Sequence, residues 1–207
     1  MYNVINNERN KDMKLKRFLA VGLAVVMAFS AAACSSGNKD NDKDSDKNNE
    51  SSDDKSQESD VKLSDICDAI KKAYGDDYVP DMEYDDIFIT DTLGISKEDY
   101  EEITAEGPLV SFNIDTLIAV RAKSGKGDLV EDKLNSYRDY LINEALMYPT
   151  NAIKIQASQV VRHGDYVFFV CLGVIAMETE ELGDEAILAE AKENTKVAVD
   201  TIDSFFK

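Results

Sequence analysis

The chain has 207 residues, with 23 Lys/Arg against 41 Asp/Glu and a formal net charge of −18. That balance argues against a nucleic-acid partner, because phosphate binding draws its affinity from Lys/Arg neutralisation and counterion release. The charge is unevenly divided: residues 1–34 carry five Lys/Arg and two acids, residues 35–60 four Lys and nine acids, and residues 61–207 fourteen Lys/Arg and thirty acids.

In the first part, the cationic cluster Met13-Lys14-Leu15-Lys16-Arg17 precedes Phe18 to Ala33, sixteen residues without a charge. This is the pattern of an export signal. As a helix the run would span roughly 24 Å, short of the ~30 Å hydrocarbon core, which disfavours a permanent transmembrane anchor. Residues 1–12 fit no signal, so Met13 is the expected start. The run closes with Ser30-Ala31-Ala32-Ala33-Cys34-Ser35-Ser36-Gly37 and resembles the bacterial lipobox, with Ala31 where Leu is usual. The resemblance implies cleavage after Ala33 and lipid on the thiol of Cys34, which would hold the mature protein on the outer face of the cell membrane. Ala31-x-Ala33 also suits an ordinary signal peptidase, which would release a soluble product. Two acyl chains suffice for stable anchoring where one does not.

Residues 35–60 contain no aliphatic or aromatic side chain. Such a segment cannot bury enough apolar area to offset ordering entropy, and an acidic, disordered tether is expected. Asp40-x-Asp42-x-Asp44-x-Asp46 imitates the start of a calcium loop, but Ser45 stands where that loop needs Gly and Ser51 where it needs Glu.

Residues 61–207 are expected to form one α+β domain. Leu63, Ile66, Cys67, Ile70 and Tyr74 have the spacing of a helix ending at Gly75. A second helix is expected over Met82 to Thr92, and a short third from Ser96, whose S-x-x-D form marks a helix start, through Ile103. After Gly107-Pro108, Leu109 to Phe112 is extended at best. Thr116 to Lys123 reads as a strand with aliphatic residues on both faces. Lys123-Ser-Gly-Lys-Gly-Asp128 lacks the upstream Gly and the following Ser/Thr of a phosphate loop. Asp128 and Glu131 instead suggest an N-cap box for a long helix, with Leu129, Leu134, Tyr137 and Leu141 inward, stopping before Pro149. Ala152 to Val161 and Asp165 to Val174 read as a hairpin about Arg162-His163-Gly164, its second strand central, and a terminal helix covers about 183–206. The expected order is helices, then β-α-β-β-α: a small antiparallel or mixed sheet with helices on one main face.

The chemistry is sparse. One histidine, His163, falls in the expected turn, and nucleophilic catalysis usually needs such a base held beside its nucleophile. No H-E-x-x-H, C-x-x-C or G-x-S-x-G occurs, so no metal or cofactor is expected. Besides Cys34, Cys67 and Cys171 remain, either as buried free thiols or as a disulfide closing a long loop. The acid pairs Asp76-Asp77, Asp85-Asp86 and Glu101-Glu102 read as solvated faces, since neighbouring positions on a helix point apart.

The lipobox, the strand Asp115 to Lys123 feeding a long helix, and the run Tyr148-Pro149 through Val161 to Gly164-Asp165-Tyr166-Val167 together resemble an uncharacterised family of Firmicutes lipoproteins, domain of unknown function 4358, over residues 63–175. The resemblance implies architecture and localisation but supplies no activity or binding residues. Three functions are then in contention: a non-catalytic binding or assembly module for an envelope or cell-surface partner, a carboxylate-dependent extracellular hydrolase, and a solute receptor, which would need a second lobe. The absence of a nucleophile-base arrangement favours the first.

Overall fold

The computed structural model describes residues 61–110 and 112–207, so the expected signal, Ala33, Cys34 and the tether lie outside the described residues. The first helix, α1 (Leu63–Tyr74), buries its whole apolar stripe. It stops at Gly75, whose φ of 57° is a left-handed conformation that glycine adopts without a Cβ penalty.

Five strands follow: β1 (Met82–Glu83), β2 (Tyr100–Gly107), β3 (Thr116–Ala122), and, after helix α2 (Gly127–Asn143) and helix α3 (Pro149–Lys154), β4 (Gln159–His163) and β5 (Tyr166–Cys171). Helix α4 (Met177–Glu180) and the terminal helix α5 (Asp184–Asp203) complete the chain. The strands form one sheet in the order β1-β2-β3-β5-β4, with every pair antiparallel. The architecture is α+β.

Alternation on β3 and β5 sends side chains into two separate cores. Ile118, Val120, Val167, Phe169 and Cys171 meet Val130, Leu134 and Tyr137 of α2. Leu117, Ala119, Phe168 and Val170 meet Ile66, Cys67 and Ile70 of α1 and Ala198 and Ile202 of α5. Helices therefore cover both faces rather than one. Strands apolar on both sides require this, since an uncovered face would leave one of each pair of side chains in water.

Three segments differ from expectation. Ser96 and Asp99 do hydrogen-bond as an S-x-x-D box, with the Asp99 carboxylate accepting from the Ser96 amide and hydroxyl at 3.0 and 2.8 Å. The box closes only a turn, and Tyr100 to Gly107 becomes β2, because interior β3 needs a hydrogen-bonded neighbour on each edge. Residues 82–83 pair with β2, which delays the second helix to a short segment ending in a π-helical turn, Phe88–Thr92. Pro149 starts a helix rather than ending one: α2 has already stopped at Asn143, Tyr148 is extended and Pro149 occupies the first helical turn, so the strand expected from Ala152 begins at Gln159. Within α2, Asp128 is not the cap, and Val130 rather than Leu129 is buried.

Candidate functional site: the loop end of the sheet

Because the strands are antiparallel, β2 and β5 end, and β3 and β4 begin, at the same end of the sheet. Three connections leave there: residues 108–115 between β2 and β3, 144–158 between α2 and β4, and 172–183 after β5. Each carries large apolar side chains in water. Leu109 and Phe112 are exposed on the first, Leu146 and Tyr148 on the second, Met177 and Leu182 on the third, with Leu146 as accessible as in an isolated residue.

One buried carboxylate ties these connections together. Asp115 is fully buried. Its Oδ1 accepts from Lys154 Nζ of α3, itself only 5 % exposed. Its Oδ2 accepts from the Gly173 amide at 2.7 Å, and its own amide donates to Asn113 Oδ1 at 2.7 Å. Asn151 Nδ2 donates to the Phe112 carbonyl at 2.7 Å, a second tie between the first two loops. Gly173 has a φ of 104°, and a Cβ there would lie 2.5 Å from Asn194 Cβ of α5, so close approach and conformation both require glycine. Burial pushes the Asp115 carboxyl above its ordinary range, opposed by Lys154 and the Gly173 amide.

The opposite end of the sheet is where the chain enters the domain. Tyr166, at the start of β5, donates its hydroxyl to the Val61 carbonyl at 2.6 Å. His163 is the last residue of β4 rather than a turn residue. Its ring stacks on Phe206 with centroids 4.4 Å apart, and Nε2 lies 2.9 Å from Asp203 Oδ1. The ring thus meets a carboxylate and an aromatic ring rather than a hydroxyl or thiol.

Several other charges at this end fix connections. The Gly125 and Gly127 amides, which would face an anion in a phosphate loop, donate to Asp165 at 3.2 Å each. Asp128 and Glu131 accept from Arg162 instead of capping α2. Asp99 accepts from Lys133 at 2.7 Å and Lys126 at 2.9 Å, and these partners hold its carboxyl well below the usual range. An open groove of about 670 Å³ between residues 61–64 and β2 contains Glu101 and Glu102. Both carboxylates pair with Arg121 Nη2, at 3.1 and 3.3 Å, and are about half exposed, whereas a glycosidase acid is screened from water and free to donate. Asp86 pairs with Lys97, and Asp85 accepts from the Phe88 amide. No group of three metal-ligating side chains occurs among the described residues.

Cys67 and Cys171 are free and buried in different cores, on opposite faces of the sheet, so the alternative disulfide does not form. Burial pushes their thiols up to about 11 and about 12, leaving little thiolate at neutral pH.

Sequence reasoning missed the loop end. The available signal was a set of large apolar residues outside any helical or strand period: Leu109 after Gly-Pro, Leu146 beyond α2, and Met177 and Leu182 before α5.

A family model described as a domain of unknown function, DUF4358, matches residues 73–172, which takes in the sheet, α2, α3 and the Asp115–Lys154 pair. Neither the curated proteins nor the solved structures contain a match.

Proposed function

For a chain that carries a DUF4358 domain, we propose the role of a lipid-anchored binding module on the outer face of the cell membrane, non-catalytic and held by Cys34 after removal of a signal peptide ending at Ala33. The observation that carries the reading is the polarity of the domain. Val61, where the tether joins, is fixed beside Tyr166 at one end of the sheet, and the exposed apolar loops leave the other. Six strand residues at roughly 3.4 Å each put about 20 Å between the two ends. In a domain built this way the apolar loops lie at the end of the sheet opposite Val61.

The composition of residues 35–60 supports a spacer, since it has nothing to bury. No described helix is long and apolar enough to cross a membrane, and two acyl chains on Cys34 would suffice for stable attachment. The test is Cys34→Ser in the native host, followed by detergent phase partitioning. The protein is expected to leave the detergent phase for the medium, or to accumulate as uncut precursor. Unchanged partitioning would refute the anchor.

A further inference from the structure

We infer that the loop end of the sheet docks a cationic amphipathic polypeptide segment, one whose apolar side chains are flanked by Lys or Arg. The inference deepens the binding-module reading by giving the partner's chemistry. Residues 108–114, 144–151 and 173–185 hold six acids, all exposed: Glu144, Glu178, Glu180, Glu181, Asp184 and Glu185. They hold no Lys or Arg. Of the cations that hold the second connection, Lys154 is buried against Asp115 and Arg138 Nε donates to the Ser158 carbonyl at 2.8 Å. Apolar side chains among unneutralised carboxylates suit a partner with the complementary pattern, in which apolar contact supplies affinity and charge supplies orientation and rate.

Other occupants fit less well. A second copy meeting through the same surface would bring two sets of six carboxylates together, because an isologous contact places each patch against itself. A bacterial membrane surface rich in anionic lipid would repel the acids, and the chain enters the domain at the far end of the sheet. The loops are also organised before any partner arrives. Asp115 joins the first connection to Lys154 and to Gly173, and Asn151 joins the second to the first, so docking need not order them.

The test measures fluorescence anisotropy of two labelled amphipathic helical peptides, one of Leu and Lys and one with Glu for each Lys, added to the full chain carrying Cys34→Ser. The parent is expected to bind the Lys peptide at least about tenfold more tightly than the Glu peptide. Phe112→Ser with Leu146→Ser should weaken it about tenfold, and so should the charge reversal Glu178→Lys, Glu180→Lys, Glu181→Lys. An equal reversal away from the loop end, Asp65→Lys, Asp68→Lys, Glu98→Lys, should keep the affinity within about threefold, since it changes only screened long-range charge. Leu146→Ser alone, at a fully exposed side chain, guards against misfolding of the double variant, and circular dichroism melts check each protein.

The inference is overturned by no binding of the Lys peptide, by loop variants that bind as the parent does, or by a distant reversal that weakens binding as much as the local one. It is equally overturned if phosphatidylglycerol vesicles sediment the parent and not the Leu146→Ser protein, which would make the surface a lipid contact. Because the peptides are added in solution, a failure of lipid anchoring leaves these outcomes unchanged, and the two failures are distinguishable.

Discussion

Asp115 is a carboxyl with no exposed surface, and its partners decide what it does. With its carboxyl pushed above the ordinary range, the group's favourable contribution to folding is full below its unfolded pKa of about 3.9 and is lost as pH rises through the folded value. At neutral pH the pair with Lys154 therefore acts as a clamp on three loops rather than as a net source of stability. Two outcomes follow from the cost of breaking a buried pair compared with replacing it. Asp115→Asn should destabilise the protein by about 3–5 kcal/mol, because it leaves the Lys154 ammonium buried and unpaired. Asp115→Leu combined with Lys154→Met should cost distinctly less than the single change. Urea unfolding followed by circular dichroism gives both values, and a single variant within about 1 kcal/mol of the parent would contradict the clamp. None of this was legible in sequence. Lys154 and Gly173 lie 39 and 58 residues beyond Asp115; the register of β3 against β5 brings Gly173 to it, and the placement of α3 brings Lys154.

Elements were legible where a segment carries its own period. The stripe of α1, the two-sided strands β3 and β5, and the terminal helix each declare themselves, because burial follows directly from their spacing. The segment Ser96 to Ile103 did not. Its local box is real, but the chain beyond it is recruited by the bare edge of β3, a demand from outside the segment. Asp99 holds the junction, tying the turn before β2 to Lys133 of α2 and to Lys126 just before it. Lys133 first, then Lys126 and Ser96, depress its carboxyl pKa. A depressed carboxyl contributes stability above its unfolded pKa of about 3.9 and loses it as pH falls toward the folded value. Thermal melts should therefore show Asp99→Asn destabilised at pH 7, by about 1–3 kcal/mol, with the gap to the parent narrowing from pH 5 to pH 2. Parallel curves across that range would refute the role given to Asp99.

At the scale of the molecule, composition divides the chain into a part with apolar area to bury and a part, residues 35–60, that supplies none, and folding depends on such area. The exposed loop end was not readable, because an apolar residue outside a period looks the same in sequence whether a neighbouring loop covers it or water does. The division makes a direct prediction about proteolysis. Trypsin sites occur at Lys39, Lys43, Lys47 and Lys55 before the domain, and within it at residues such as Lys71, Lys133 and Lys154, which lie on helices and are held by Glu106, Asp99 and Asp115. Cleavage requires an extended, accessible backbone, which a tether offers and a packed helix offers only on opening. Brief trypsin treatment of the native protein should therefore remove the segment through Lys55 and leave a product ending at Lys207, seen as one major mass. Its melting temperature should match that of the intact chain, because the two cores are built from residues 61–207. Early cuts at Lys133 or Lys154, or a product that melts well below the parent, would mean that the tether segment takes part in the fold.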